Sequence, residues 1–227
     1  MNGVEADVTR RRRELVLLSA LLAWCLALVG ARTVHTDTDY FLFLVWNLFL
    51  ACVPLMMSRL LRAAHQRKAP DIAQLMLAVV WLLFLPNAPY LLTDLVHLQQ
   101  GSPILYWYDL SMLLSCAGTG LLLGYLSLFD VHKVFEERFG SRSGWTVAIV
   151  ALLLCGYGIY LGRVMRWNSW DVIANPRGLF GNIADFLFNP TAHIRIYVLS
   201  GIISAGLLLG YAILHSMTWV RGRHAKD

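Results

Sequence analysis

Six stretches of this chain are apolar over lengths that a soluble core does not require, and nothing else in the sequence constrains its fold as strongly. They cover residues 14–31, 40–61, 72–92, 104–131, 145–162 and 194–220. Crossing a hydrocarbon layer roughly 30 Å thick takes about 20 helical residues. The runs are continuously apolar and lack the two-residue alternation of a membrane β-barrel strand. In lipid only helices and closed barrels satisfy their own backbone groups. The expected fold is therefore all-α: a polytopic integral membrane protein, a six-transmembrane-helix bundle, with residues 1–227 as a single membrane domain. Composition agrees. The chain is 58% hydrophobic and 15% charged, against about 25% charged in a soluble domain.

The net charge of +5 would suggest nucleic acid in a soluble protein, but its distribution removes that reading. Fourteen of the 19 Lys and Arg residues flank one side of the spans, among them Arg10, Arg59, Arg62, Lys133 and Lys226, with eight acidic residues. The other side has Arg32, Arg163, Arg166, Arg177 and Arg195 against six acids. The positive-inside rule places both termini in the cytoplasm. The basic surplus is a topology signal, and membrane lipids rather than nucleic acid are the expected partners. Arg10 to Arg13 ahead of a Leu-rich run resemble a signal peptide ending at Val29-Gly30-Ala31, but the run is long for an h-region, and it is expected to remain as the first span.

Cys25, Cys52, Cys116 and Cys155 lie singly inside spans, a pattern that gives neither a zinc site nor a disulfide framework. Small residues at four-residue spacing, Gly120 with Gly124, Gly158 with Gly162 and Gly206 with Gly210, are expected to bring helix backbones together. Gly-Leu-Leu-Leu-Gly-Tyr occurs at 120–125 and 206–211, and little around it aligns. Pro86 and Pro89 are expected to kink the third helix near its outer end, leaving carbonyls for Asn87, Thr93 or a neighbouring helix to satisfy. The kink is either tolerated by packing or lines a polar cavity.

The span interiors hold no ionisable residue between the interfacial layers, which counts against an ion-coupled transporter. Ser111, Ser115 and Thr119 on the fourth helix and Asn47 on the second are expected to make helix–helix hydrogen bonds. The outer ends differ. Asp94 and His97 end the third helix, Asp109 begins the fourth, and Arg163 and Arg166 end the fifth, amid Tyr90, Tyr106, Trp107, Trp167 and Trp170 of an interfacial belt. Three readings compete for this cluster. It is a ring of ion pairs joining Arg163 or Arg166 to Asp94 or Asp109. It is an anion site, with two guanidiniums matching phosphate or carboxylate and Asp94 or His97 moving a proton. Or it is a metal site on Asp94, His97 and Asp109, with His35 or His193 as a further ligand, the weakest reading, because the spacing matches no known ligand set.

About thirty outer residues separate the last two spans. Within them Leu179, Phe180, Ile183, Phe186 and Leu187 fall on one helical face, predicting a short amphipathic outer-face helix bracketed by Asn175-Pro176 and Asn189-Pro190. It either caps the bundle or roofs the outer site. No P-loop, dinucleotide fingerprint, HExxH or GxSxG occurs, and no cofactor is implied.

The phrases WLLFLPNAPYLLTDLVHL at 81–98, WYDL at 107–110 and GRVMRWNSWD at 162–171, with Trp46-Asn47-Leu48, resemble the DUF1361 family of uncharacterised bacterial membrane proteins. The resemblance implies a multi-pass protein of the bacterial cytoplasmic (inner) membrane and implies no activity. Its phrases fall on the outer cluster. The expectation carried forward is an outer-face polar site for an anionic or lipid-linked group. Arg163 and Arg166 form its clamp, with Asn87, Tyr90, Trp170 and Asp171 as further binding groups. Asp94, His97 and Asp109 are the acid–base or positioning candidates, and no metal is assigned. A transporter or lipid-flippase component, and a structural or partner-binding protein without chemistry, are the alternatives.

Overall fold

In this computed structural model residues 3–100, 103–189, 191 and 193–224 are described. All regular structure among them is helical. Pro190 of the second expected turn and Lys226 of the C-terminal basic group lie outside the described residues. Six helices are long and apolar enough to span a membrane, covering Arg12–Thr36, Phe43–Gln66, Asp71–Leu98, Tyr106–Phe139, Ser141–Arg163 and Ile194–Met217. The protein is an all-α, six-helix membrane bundle.

The elements are α1 (Gly3–Thr36), α2 (Phe43–Gln66), α3 (Asp71–Phe84), the short α4 (Asn87–Tyr90) leading into a 3₁₀ stretch (Leu91–Gln100), α5 (Tyr106–Phe139), α6 (Ser141–Arg163), α7 (Asp171–Ala174), α8 (Pro176–Phe188) and α9 (Ile194–His224). The central element is α5. Its 34 residues make a rod of about 51 Å, which outruns the hydrocarbon. Its N-terminal half packs with α1, α2 and α4 around Leu48, Ala88, Met112 and Leu113. Its C-terminal half packs with α3, α6 and α9 around Trp81, Leu128, Leu152 and Tyr211.

Close backbone approach depends on glycine where the spacing suggested it. A Cβ at Gly120 would collide with the carbonyl of Ala88, and one at Gly158 would stand 2.6 Å from Pro86 Cγ. Gly206 is the exception, with open space around it, so that position of its pair makes no helix contact. The two copies of the hexapeptide do meet: Tyr125 donates to the carbonyl of Leu207 at 3.0 Å.

The helix at the edge, α1, buries few side chains, Leu18, Cys25, Val29 and Arg32 among them, and is held by polar ties. Arg32 grips Asp109 with two hydrogen bonds, Nε–Oδ1 at 2.6 Å and Nη2–Oδ2 at 3.1 Å. Tyr108 donates to the Leu28 carbonyl at 2.7 Å, and Trp24 donates to Ser115 at 3.4 Å. Near the start of α1 Glu14 pairs with Arg59 of α2. Arg59 and Arg62 also converge on buried Asp130, each at 2.8 Å. Ser111, Ser115 and Thr119 each donate to the carbonyl four residues back, and Ser115 and Thr119 also make the expected contacts between helices, with Trp24 and, at 3.2 Å, with Cys25 of α1.

Candidate functional site

The site starts at the two prolines. Without amide protons at Pro86 and Pro89 the helical ladder fails, and α3 stops at Phe84. Carbonyls released in an apolar layer need donors. Asn87 Nδ2 donates to the Phe84 carbonyl at 2.9 Å and to the Ser169 hydroxyl at 3.0 Å. Ser169 in turn donates to the Leu83 carbonyl at 3.0 Å, and Thr93 donates to the Tyr90 carbonyl at 2.6 Å. Asn87 and Thr93 take the role expected of them. Ser169, from the loop after α6, is a contributor that sequence reasoning missed. Its signal was present, since it sits in the 162–171 phrase.

Pinning that loop to the break opens a cavity of about 520 Å³ between α2, α3, α6 and the outer loop, with Leu179, Phe180 and Ile183 of α8 as its roof. The volume is in the range of pockets that hold small molecules or cofactors. Most of the lining is aliphatic or aromatic, and the polar contributors are amides, hydroxyls and an indole nitrogen, including Asn47, Asn87, Ser169, Tyr157 and Trp167, whose Nε1 is buried without a partner among the described residues. No charged side chain lines it among the described residues. Trp46, Val79, Leu154 and Phe180 belong both to the lining and to the exposed surface of the bundle. Trp46, Val79 and Leu154 lie within candidate membrane spans, so the cavity opens sideways between spanning helices.

The charges lie behind the wall. Asp94 is fully buried. Its Oδ2 accepts from Asn47 Nδ2 at 2.9 Å and its Oδ1 from Arg163 Nη1 at 3.0 Å. Arg163 also donates to the Thr93 carbonyl at 2.8 Å and to Tyr90 Oη at 3.4 Å, with its guanidinium 5.5 Å from the Tyr90 ring centre. Such an arrangement holds α2, the 3₁₀ stretch and α6 together and commits three of the five N–H groups of Arg163 to protein partners.

The other expected site residues do not join this centre. The helical relation between Arg163 and Arg166 is absent because α6 ends at Arg163. Arg166 is exposed in a left-handed turn at φ 60°, which returns the chain so that the Trp167 amide reaches the Leu161 carbonyl at 3.0 Å. Asp109 is engaged by Arg32 of α1 and not by either of the two arginines first paired with it. The cause is lateral position: equal depth does not fix which helices are neighbours. His97 Nδ1 hydrogen-bonds Tyr40 Oη at 3.0 Å. Asp94, His97 and Asp109 therefore do not converge as a ligand set, and no group of three His, Cys, Asp or Glu among the described residues is placed to hold a metal. Trp170 stands edge-on 6.3 Å from Trp46 at the cavity margin. Asp171 accepts from the Asn168 amide at 2.6 Å and starts α7.

The roof is held independently. Asn175 caps α8 by accepting from the Gly178 amide at 3.2 Å. Phe186 stacks between Tyr157 of α6 at 4.2 Å and Tyr197 of α9 at 4.1 Å. Asp185 accepts from Asn189 at 2.6 Å and bonds His193 at 2.7 Å. The Asn189 hydrogen bond, then the one to His193, hold the Asp185 carboxyl below its ordinary range.

A family model described as "Protein of unknown function (DUF1361)" matches residues 46–209, which run from within α2 into α9 and take in the whole of the cavity lining. No curated protein matches the chain, and no solved structure matches it.

Proposed function

The chain belongs to the DUF1361 family, and from that premise we propose that it binds a membrane lipid or lipid-linked molecule from the outer leaflet, in the cavity beneath α8. The observation that carries this reading is the cavity itself. A largely apolar space of about 520 Å³, with polar groups gathered at the Asn87–Ser169 latch and its open side formed by exposed Trp46, Val79, Leu154 and Phe180, fits an amphiphile. The apolar portion fills the space and the polar end lies against the amides. Both termini are cytoplasmic on this reading, which follows the basic flanks, in a bacterial cytoplasmic membrane.

The geometry favours a changed role for the charged residues. Arg163 with Asp94, and Arg32 with Asp109, are pairs that fix the frame around the cavity, and the anion clamp of Arg163 and Arg166 is not part of the proposal. The transport reading draws no support from the cavity, because none of its lining comes from α5.

Photo-crosslinking tests the proposal. A phospholipid with a diazirine in its acyl chain, added to the full chain in nanodiscs, should label α6, α8 and the 79–90 segment above the level of other lipid-facing helices. Labelling spread evenly over all six spans would count against a dedicated site.

A further inference from the structure

The hydrogen-bonding state of the Asn87–Ser169 latch restricts what the polar end of the cavity can recognise. Asn87 Nδ2 has two protons and both are committed, to the Phe84 carbonyl and to Ser169 Oγ. The orientation of the amide is fixed, because a backbone carbonyl can only accept. The Ser169 proton is committed to the Leu83 carbonyl, so this hydroxyl receives the Asn87 bond and has none to give. What the latch leaves for a ligand is Asn87 Oδ1, an acceptor with no partner among the described residues. Asn47 is oriented by the same logic: its Nδ2 faces the Asp94 carboxylate, and its Oδ1 has no partner there either. A further hydroxyl in the lining, Tyr157 Oη, has no partner among the described residues and can donate or accept.

The lining also holds donors, among them Trp167 Nε1, which is buried without a partner among the described residues, and among those residues it has no charged side chain. A phosphate would bring its charge into the site uncompensated and leave the two amide oxygens without a donor. A hydroxyl donates as well as accepts and meets both kinds of group. Resting on the lipid-binding reading above, we infer that the cavity selects an uncharged lipid whose polar end carries a hydroxyl, bound by donation to Asn87 Oδ1. Diglycerides, glycolipids and long-chain alcohols share this chemistry.

Three probes with the same two oleoyl chains separate the possibilities: dioleoylglycerol, its O-methyl ether and dioleoylphosphatidate. Each would be titrated against the full chain in nanodiscs by competition with a photoreactive diacylglycerol. The ether removes one proton and keeps the oxygen. Losing one neutral hydrogen bond predicts binding about tenfold weaker than dioleoylglycerol, and dioleoylphosphatidate should also compete less well than dioleoylglycerol. An ether that competes equally, or a phosphatidate that competes better, overturns the hydroxyl inference and leaves a lipid site standing. If none of the three competes, or if the cavity-filling variant Ile183→Trp binds all three as the unaltered chain does, the lipid-site reading fails and this inference fails with it. In Asn87→Leu the preference for dioleoylglycerol over its ether should vanish. Should that variant fail to fold, the probe series on the unaltered chain still decides the matter.

Discussion

The side-chain amide of Asn87 donates to the hydroxyl of Ser169 at 3.0 Å, across 82 residues of sequence. That contact joins a helix broken by proline to the loop after α6, and it satisfies two carbonyls that the break releases. The same contact forms one end of the cavity. Repair of the backbone and construction of the site are thus one arrangement, and substitutions at the latch are expected to affect both.

Ser169→Ala removes the donor to the Leu83 carbonyl and the acceptor for Asn87. A buried group left unsatisfied costs about 1–3 kcal/mol. The variant should unfold at a lower temperature in detergent, with extra proteolytic cutting in the loop between α6 and α8. Ser169→Thr, which keeps the hydroxyl, should recover most of the loss.

Arg163→Met leaves the buried Asp94 carboxylate alone, at a cost of roughly 3–5 kcal/mol, and Asp94→Asn leaves the part-buried Arg163 without its ionic partner, at a smaller cost. The double variant removes both and should be more stable than the sum of the two losses implies. A double-mutant cycle on thermal or denaturant unfolding measures the coupling. Strict additivity would mean that the two do not act on each other.

Gly120→Ala places a methyl against the Ala88 carbonyl and 2.7 Å from Leu91 Cδ1, whereas Gly118→Ala meets open space. Overpacking of this kind costs about 1–3 kcal/mol. Melting temperature should fall for Gly120→Ala and stay near the parental value for Gly118→Ala.

The clasp at the end of α8 should respond to acid. Because Asp185 titrates below its ordinary range in the folded protein, its contribution is present in full above the unfolded value, about 3.9. That contribution is lost as pH falls through the lower folded value. Hydrogen exchange of amides 186–189 should therefore quicken below about pH 4, relative to the intrinsic rate. Asp185→Asn should flatten this dependence.

Much of the fold could be read in the sequence, because helix length and hydrocarbon thickness are set by the same dimensions. The six spans, the break at Pro86 and Pro89, and α8 between Asn175 and the described end of its turn follow from patterns local to a few turns of chain. Counting along helices also put Asp94 and Arg163 at one end of the bundle, where they pair. Depth does not rank neighbours around the bundle, and the ion-pair reading, which offers Asp109 only Arg163 or Arg166, misses its partner Arg32 on α1. The break at Arg163 hid Arg166 from the same method. The cavity was illegible for a different reason: in a membrane protein, Leu83 and Ile183 facing a void look the same as residues facing lipid or core. Only the polar members, Asn47, Asn87 and Ser169, stood out, and reading them together needed the fold.

The central claim is that the cavity under α8 holds a lipid while the charged pairs only hold the frame. Native mass spectrometry of the full chain released from mild detergent tests it most directly, by comparing lipid bound to the parental protein, to Ile183→Trp and to Arg166→Ala. The account predicts one retained lipid on the parental chain and on Arg166→Ala, and loss of that lipid from Ile183→Trp at unchanged melting temperature. Retention by Ile183→Trp together with loss from Arg166→Ala would contradict it.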